Sequence, residues 1–141
     1  MNKTSTKQCL AAVALAGIAA AAVAAESRVV STQAMENVVA VEILRVDGSV
    51  IEGRVTNRTA HRVQRPELVA TYSWLWHDDR HPGEDDPGWV TYAVVPDDLG
   101  PHESAQFTID PGRPLPDRDD GKFMTSVAVT RVTELKLPDT P

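Results

Sequence analysis

The chain has 141 residues, 14 basic against 20 acidic side chains, a net charge of −6, one cysteine, and only seven aromatic residues. That length supports one domain. The acidic balance excludes a nucleic-acid binder and a protein drawn to anionic membrane surfaces, and favours a basic partner or a cation.

The first 25 residues do not read as part of a domain. Lys3 and Lys7 give a positive start, and Leu10 to Ala25 is an uncharged, Ala-rich run. Small residues ahead of Glu26 suit cleavage after Ala24 or Ala25, the pattern of a secretory signal peptide. The run is shorter than the ~20 residues of a spanning helix. It contains no twin-Arg pair, which points to Sec-type export and to a periplasmic or secreted protein with no membrane span in the mature chain. Cys9 precedes the apolar run, so it cannot be the lipid-bearing cysteine of a lipoprotein, and cleavage removes it. Losing Lys3 and Lys7 leaves 12 basic against 20 acidic residues, a net of −8. The mature part then has no disulfide and no thiol chemistry, and folds by burial alone.

Residues 26–35 carry no clear period and read as a linker or a frayed strand. From residue 36 to 136 the chain alternates. Val39, Val41 and Ile43 share one parity, and a turn is expected at Asp47-Gly48. Ile51, Gly53, Val55 and Asn57 then oppose Glu52, Arg54 and Thr56, a half-buried strand. Gly53 offers no side chain to pack and marks a bulge or the close approach of another group. Residues 57–65 are polar and read as a loop. Asn57-Arg58-Thr59 matches the N-glycosylation pattern, a match short enough to arise by chance.

The stretch from Leu68 to Tyr92 holds all three Trp and both Tyr. Pro66 opens its first strand. Leu68, Ala70, Tyr72, Trp74 and Trp76 lie on one face; Val69, Thr71, Ser73 and Leu75 lie on the other. Trp89 to Val95 returns as a strand, with Val90, Tyr92 and Val94 facing one way. Two arrangements are open. With the even row of the first strand inward, the aromatics are core, and Trp76 at the strand end is partly covered. With Val69 and Leu75 inward, the aromatics form an exposed stripe for a protein or glycan partner, and Tyr72, Trp74, Trp76 and Trp89 are the candidate binding residues. The even row buries more apolar area and is the expected core.

The loop between these strands, residues 77–88, is the densest polar cluster. His77, Asp78, Asp79, His81, Glu84 and Asp85 are ligand types for Zn or Cu, and the carboxylates alone suit Ca. His77 and His81 would share a face only in a helix, which Pro82-Gly83 prevents, and EF-hand spacing is absent. The ordinary reading is a solvated hairpin tip; the alternative is a cation-binding loop. Elsewhere no Gly-x-Ser-x-Gly elbow or Ser-x-x-Lys motif exists, and no catalytic residue or cofactor is assigned. The expectation is a non-enzymatic protein.

Ala105, Phe107 and Ile109 alternate with Ser104, Gln106 and Thr108 in another half-buried strand. Residues 110–122 are rich in Pro, Gly and Asp and predict a long loop. Thr125, Val127, Val129 and Arg131 oppose Ser126, Ala128 and Thr130 in the last strand, and residues 137–141 form a tail. No segment has a helical period. Six to eight short strands separated by turn signals predict an antiparallel, Ig-like β-sandwich.

Three segments carry a family likeness. Ile51-Glu52-Gly53-Arg54-Val55-Thr56-Asn57 resembles the Gly-x-Val-x-Asn strand of FxLYD-type and related Ig-like envelope domains. Tyr72 to Asp78, with Gly83 beyond, is similar to their aromatic strand and following turn. Leu99 to Phe107 resembles their Leu-x-Pro-Gly-Glu-Ser-x-x-Phe segment, with His102 where those domains carry Gly. Leu-Tyr-Asp itself is absent, and the loop after Asp78 is longer and more acidic. The resemblance spans about residues 38–133. It implies a small secreted or periplasmic sandwich of accessory function, with an envelope protein or glycan as partner.

Overall fold

The computed structural model describes residues 25–138. The expected leader, with Cys9, lies outside them. Seven strands follow in order: β1 (Glu26–Val29), β2 (Val39–Asp47), β3 (Val50–Asn57), β4 (Arg62–Trp76), β5 (Trp89–Val94), β6 (Ser104–Ile109) and β7 (Gly121–Lys136). They form two antiparallel sheets, β1-β7-β4-β5 and β2-β3-β6. The chain crosses between sheets after β1, β3, β5 and β6, an Ig-like Greek-key path. The expected all-β sandwich is the observed fold.

The core lies between the sheets. Ile51, Val55, Phe107 and Ile109 from the three-stranded sheet meet Val63, Leu68, Ala70, Tyr72 and Val132 from the other. Alternation accounts for it: on β3, Ile51, Gly53, Val55 and Asn57 are all buried while Glu52 and Arg54 are exposed. Gly53 answers to both readings of its sequence. Its partner strand β2 bulges at Leu44, and a Cβ on Gly53 would strike the Phe107 ring and the Glu42 carbonyl.

Three sequence readings shift. The turn is Gly48-Ser49, with Gly48 at φ +59°, because Asp47 still pairs with Val50. Residues 26–35 are not a free linker: β1 pairs with β7 from Glu26–Lys136 to Val29–Thr133, and a single helical turn, α1 (Met35–Val38), buries Met35 and Val38. Four residues are too few to display a helical period.

The last change is at residues 57–65, where the loop is shorter than expected and β4 already begins at Arg62. A bulge at Arg65-Pro66 flips the inward row from Val63 to Pro66 and Leu68. Proline is tolerated at such a bulge because no ladder donor is needed there. A matching irregularity on β7 skips Thr130, so the inward row changes from Val127 and Val129 to Val132 and Glu134. Arg131, which shares parity with Val129 in sequence, is therefore exposed. Among the described residues no helix is long and apolar enough to cross a membrane.

Candidate functional site

The aromatic strand resolves in favour of the even row. Leu68, Ala70, Tyr72 and Trp74 point into the sandwich, and Trp76 at the strand end is half-buried. Tyr72 stacks on Trp89 at 4.6 Å between ring centroids, and Phe123 lies edge-on to both Trp74 (4.7 Å) and Trp89 (5.6 Å). The Tyr72 hydroxyl donates to the Ser49 carbonyl. Burial, and then the Asp110 carboxylate, push its pKa above the ordinary phenol value. Tyr72 and Trp74 are thus removed from any binding stripe, and Trp89 and Trp76 lie under side chains of the loops. The physical reason is area: the even row carries the large rings, and burying them outweighs burying Val69 and Leu75.

The loops at this end close over the rings. Arg113 sits 4.0 Å above the Trp89 ring, and Arg118 lies 5.4 Å from both Trp74 and Trp76. Guanidinium groups favour the electron-rich ring faces. Arg118 also forks onto Asp120 (Nε–Oδ1 2.9 Å, Nη2–Oδ2 2.6 Å) and reaches Asp85 (2.8 Å). Hydrogen bonds to Asp120, then Asp85, hold the Arg118 pKa above its ordinary value, and Arg118 in turn lowers that of Asp120. Gly83 packs its backbone against the Trp76 indole, so close that a Cβ would collide with the ring.

Acidic side chains of this loop have partners of their own. Asp78 accepts from the Arg80 backbone N–H (3.0 Å) and pairs with His81 Nδ1 (2.9 Å), which lowers its pKa, the His81 bond first. Asp85 is engaged by Arg118, while His77, Asp79 and Glu84 are exposed. Among the described residues no three His, Cys, Asp or Glu side chains converge on a point that could hold a metal ion. His77, Asp78, Asp79, His81, Glu84 and Asp85 therefore do not assemble into a cation site.

The surface that does stand out was not identified as a site in the sequence. Among the described residues no element covers the outer face of the four-stranded sheet. On β5 it presents Val90, Tyr92 and Val94, with Tyr92 73% exposed. On β4 it presents Val69, Thr71, Ser73 and Leu75, and on β7 Met124, Ser126 and Ala128. Cross-strand pairs bind them into one patch: Val69 beside Tyr92, Thr71 beside Val90, and Ser73 beside Met124. None of these residues is charged. Charges only bracket the patch, with Lys122 opposite Leu75 at one end and the Glu67–Arg131 pair (3.7 Å) at the other. The three-stranded sheet instead sets Glu42, Glu52 and Arg54 on its outside, with Arg54 3.9 Å from Glu42. The sequence shows that Val90, Tyr92 and Val94 share a face. Which face is decided by the register across the long loop, and that loop length leaves the register open.

Comparison with protein-family models, curated proteins and solved structures gives no match to this chain.

Proposed function

We propose that the chain is a secreted or periplasmic, non-enzymatic Ig-like module that binds an envelope protein through the uncharged outer face of β4, β5 and β7. The observation that carries this reading is that face: an acidic chain leaves Leu75, Val90, Tyr92, Val94 and Met124 exposed on one sheet. Contiguous apolar surface of this kind marks interaction sites in soluble domains. Exclusion of charge and an exposed Tyr are features of interface centres. A protein surface suits it better than a glycan, because the face lacks carboxylates and carboxamides to accept from and donate to sugar hydroxyls.

The likeness to FxLYD-type domains belongs to the same proposal. Its support is that the shared residues do definite structural work. Asn57 ties two loops together, and His102 stands at φ +58°, where glycine is the default.

The test is photo-cross-linking in cells from residue 75 or 124, with residue 52 on the opposite outer face as control. Adducts to an envelope protein from 75 and 124, and none from 52, are expected. Equal labelling from all three positions, or none from 75 and 124 in folded protein, rejects the assignment.

A further inference from the structure

We infer that the open edge of β5 pairs with β5 of a second copy of this chain, giving a two-fold dimer with one continuous eight-stranded sheet. Val95 donates its N–H to the Pro66 carbonyl (2.9 Å), one step beyond the Glu67–Val94 pair. Hydrogen bonding alternates along an antiparallel ladder, so Trp89, Thr91 and Ala93 turn their backbone groups toward β4. Val90, Tyr92 and Val94 turn theirs outward. Among the described residues no second strand lies along this side of β5, and no turn, loop or side-chain hydrogen bond reaches these three residues.

The edges β1 and β2 are guarded; β5 and β6 are not, and of these two only β5 turns an apolar row outward. β1 has four residues including Glu26 and Arg28, and β2 carries Glu42, Arg45 and Asp47 with a bulge at Leu44. The outward-turned residues of β6 are Ser104, Gln106 and Thr108, all polar. β5 contains no charge, proline or bulge, the devices that keep edge strands apart.

The choice of a second copy follows from symmetry and charge. The outward set, residues 90, 92 and 94, is symmetric about Tyr92. A two-fold axis there sets Tyr92 opposite Tyr92 of the second copy, and Val90 opposite Val94. Each of the three pairs exchanges two N–H···O bonds, about six in all. The aromatic pair and the Val pairs lie side by side on the exposed face, where such cross-strand contacts stabilise. A charged peptide gains nothing from a strand without charge, whereas two copies meet without opposing like charges on β5 although each chain is acidic. Pro87 and Pro96 bracket the paired segment. Beyond them Asp97 and Asp98 come near Asp86 and Asp85 of the other copy, so added salt, by screening these acids, strengthens the dimer. This inference uses the backbone edge of β5 and does not depend on the partner proposed for the sheet face.

Sedimentation of the protein as its host cell delivers it tests the pairing. A concentration-dependent dimer that tightens with salt is expected. Val94→Lys should weaken it about tenfold or more, and Leu75→Lys, on the same face but away from the edge, should leave it unchanged. In a Cys9→Ser background, Tyr92→Cys should give a disulfide-linked dimer on mild oxidation. Its expected Cα separation of about 5.5 Å lies within disulfide range, and Leu75→Cys should not cross-link. A folded chain that stays monomeric overturns the inference, even if it captures an added peptide. So does a dimer indifferent to Val94→Lys, or equal cross-linking from positions 75 and 92.

Discussion

At the end of the sandwich where β3 finishes, one neutral side chain, Asn57, holds the loops, and it is buried with every polar atom engaged. At the opposite end, two arginines lie on indole rings, and one of them, Arg118, pairs with two solvent-exposed acids. The Asn57 Nδ2 donates to the carbonyls of His61 (2.7 Å) and Gly100 (2.8 Å), and its Oδ1 accepts from the Thr59 N–H and hydroxyl (2.9 Å each). The β3–β4 and β5–β6 connections are thereby fixed to each other, and the amide is no longer an accessible glycosylation acceptor. Arg118 joins two loops as well, but Asp85 is 74% exposed, so water competes for the acid end of that pair. The buried amide, itself out of reach of water, closes its end through several bonds at once. The ionic latch closes the other end by covering rings that already pack without it.

The largest expected effect follows from breaking the buried end. Asn57→Ala removes a fully buried amide and with it a partner of two carbonyls and of the Thr59 donors, which should cost about 3 kcal/mol, read from denaturant midpoints. A loss below about 1 kcal/mol would mean the clamp is not what closes this end.

A smaller effect of opposite sign is expected within one of the two loops that Asn57 holds. His102 holds φ +58° in the turn where Glu103 accepts from the Gly100 N–H (2.6 Å). His102→Gly relieves that backbone and should stabilise the fold by up to about 1 kcal/mol, offset in part by the freer unfolded chain. Destabilisation would show that the His102 side chain contributes more than its backbone costs.

The smallest effect on global stability is expected at the latch. Arg118→Ala should leave the unfolding midpoint nearly unchanged while red-shifting tryptophan emission and raising protease cleavage within residues 77–88. Acid should act in the same direction. Asp120 and Asp78 have depressed pKa values in the fold, so their contribution is present above the ordinary carboxylate pKa of about 4 and is lost as pH falls through the lower folded values. The emission shift of the wild type should therefore appear below about pH 4, and Arg118→Ala should lack the part due to Asp120. A large fall in the unfolding midpoint would make the two ends equivalent.

Glu134 sharpens the same contrast from the side of the sheet. Its carboxylate is nearly buried yet meets the exposed Arg28 at 3.1 Å, so β1 is held to β7 by an ion pair with one end in water. Neither residue draws attention in sequence, because Glu134 becomes inward-facing only through the irregularity at Thr130.

Period-two alternation sufficed for the sandwich, for the inward row of β3, and for Tyr72 and Trp74 as core, because alternate side chains on one strand must share a face whatever the strand packs against. The missing side chain also marked Gly53, and the likeness to FxLYD-type domains marked Asn57 and the position of His102. Alternation cannot report where its own phase slips. The bulges at Arg65-Pro66 and Thr130 and the register across the 77–88 loop are settled by which strands lie side by side. Those long-range pairings turned Arg131 outward, Glu134 inward, and the Val90–Val94 row onto the surface. The acidic loop likewise shows in sequence only a solvated tip or a ligand cluster, and nothing there announces that Arg118, more than thirty residues on, takes Asp85 and covers the indoles. Local spacing thus determined the fold and its core, and only the tertiary pairing decided which side of the sheet, and which edge, is left open.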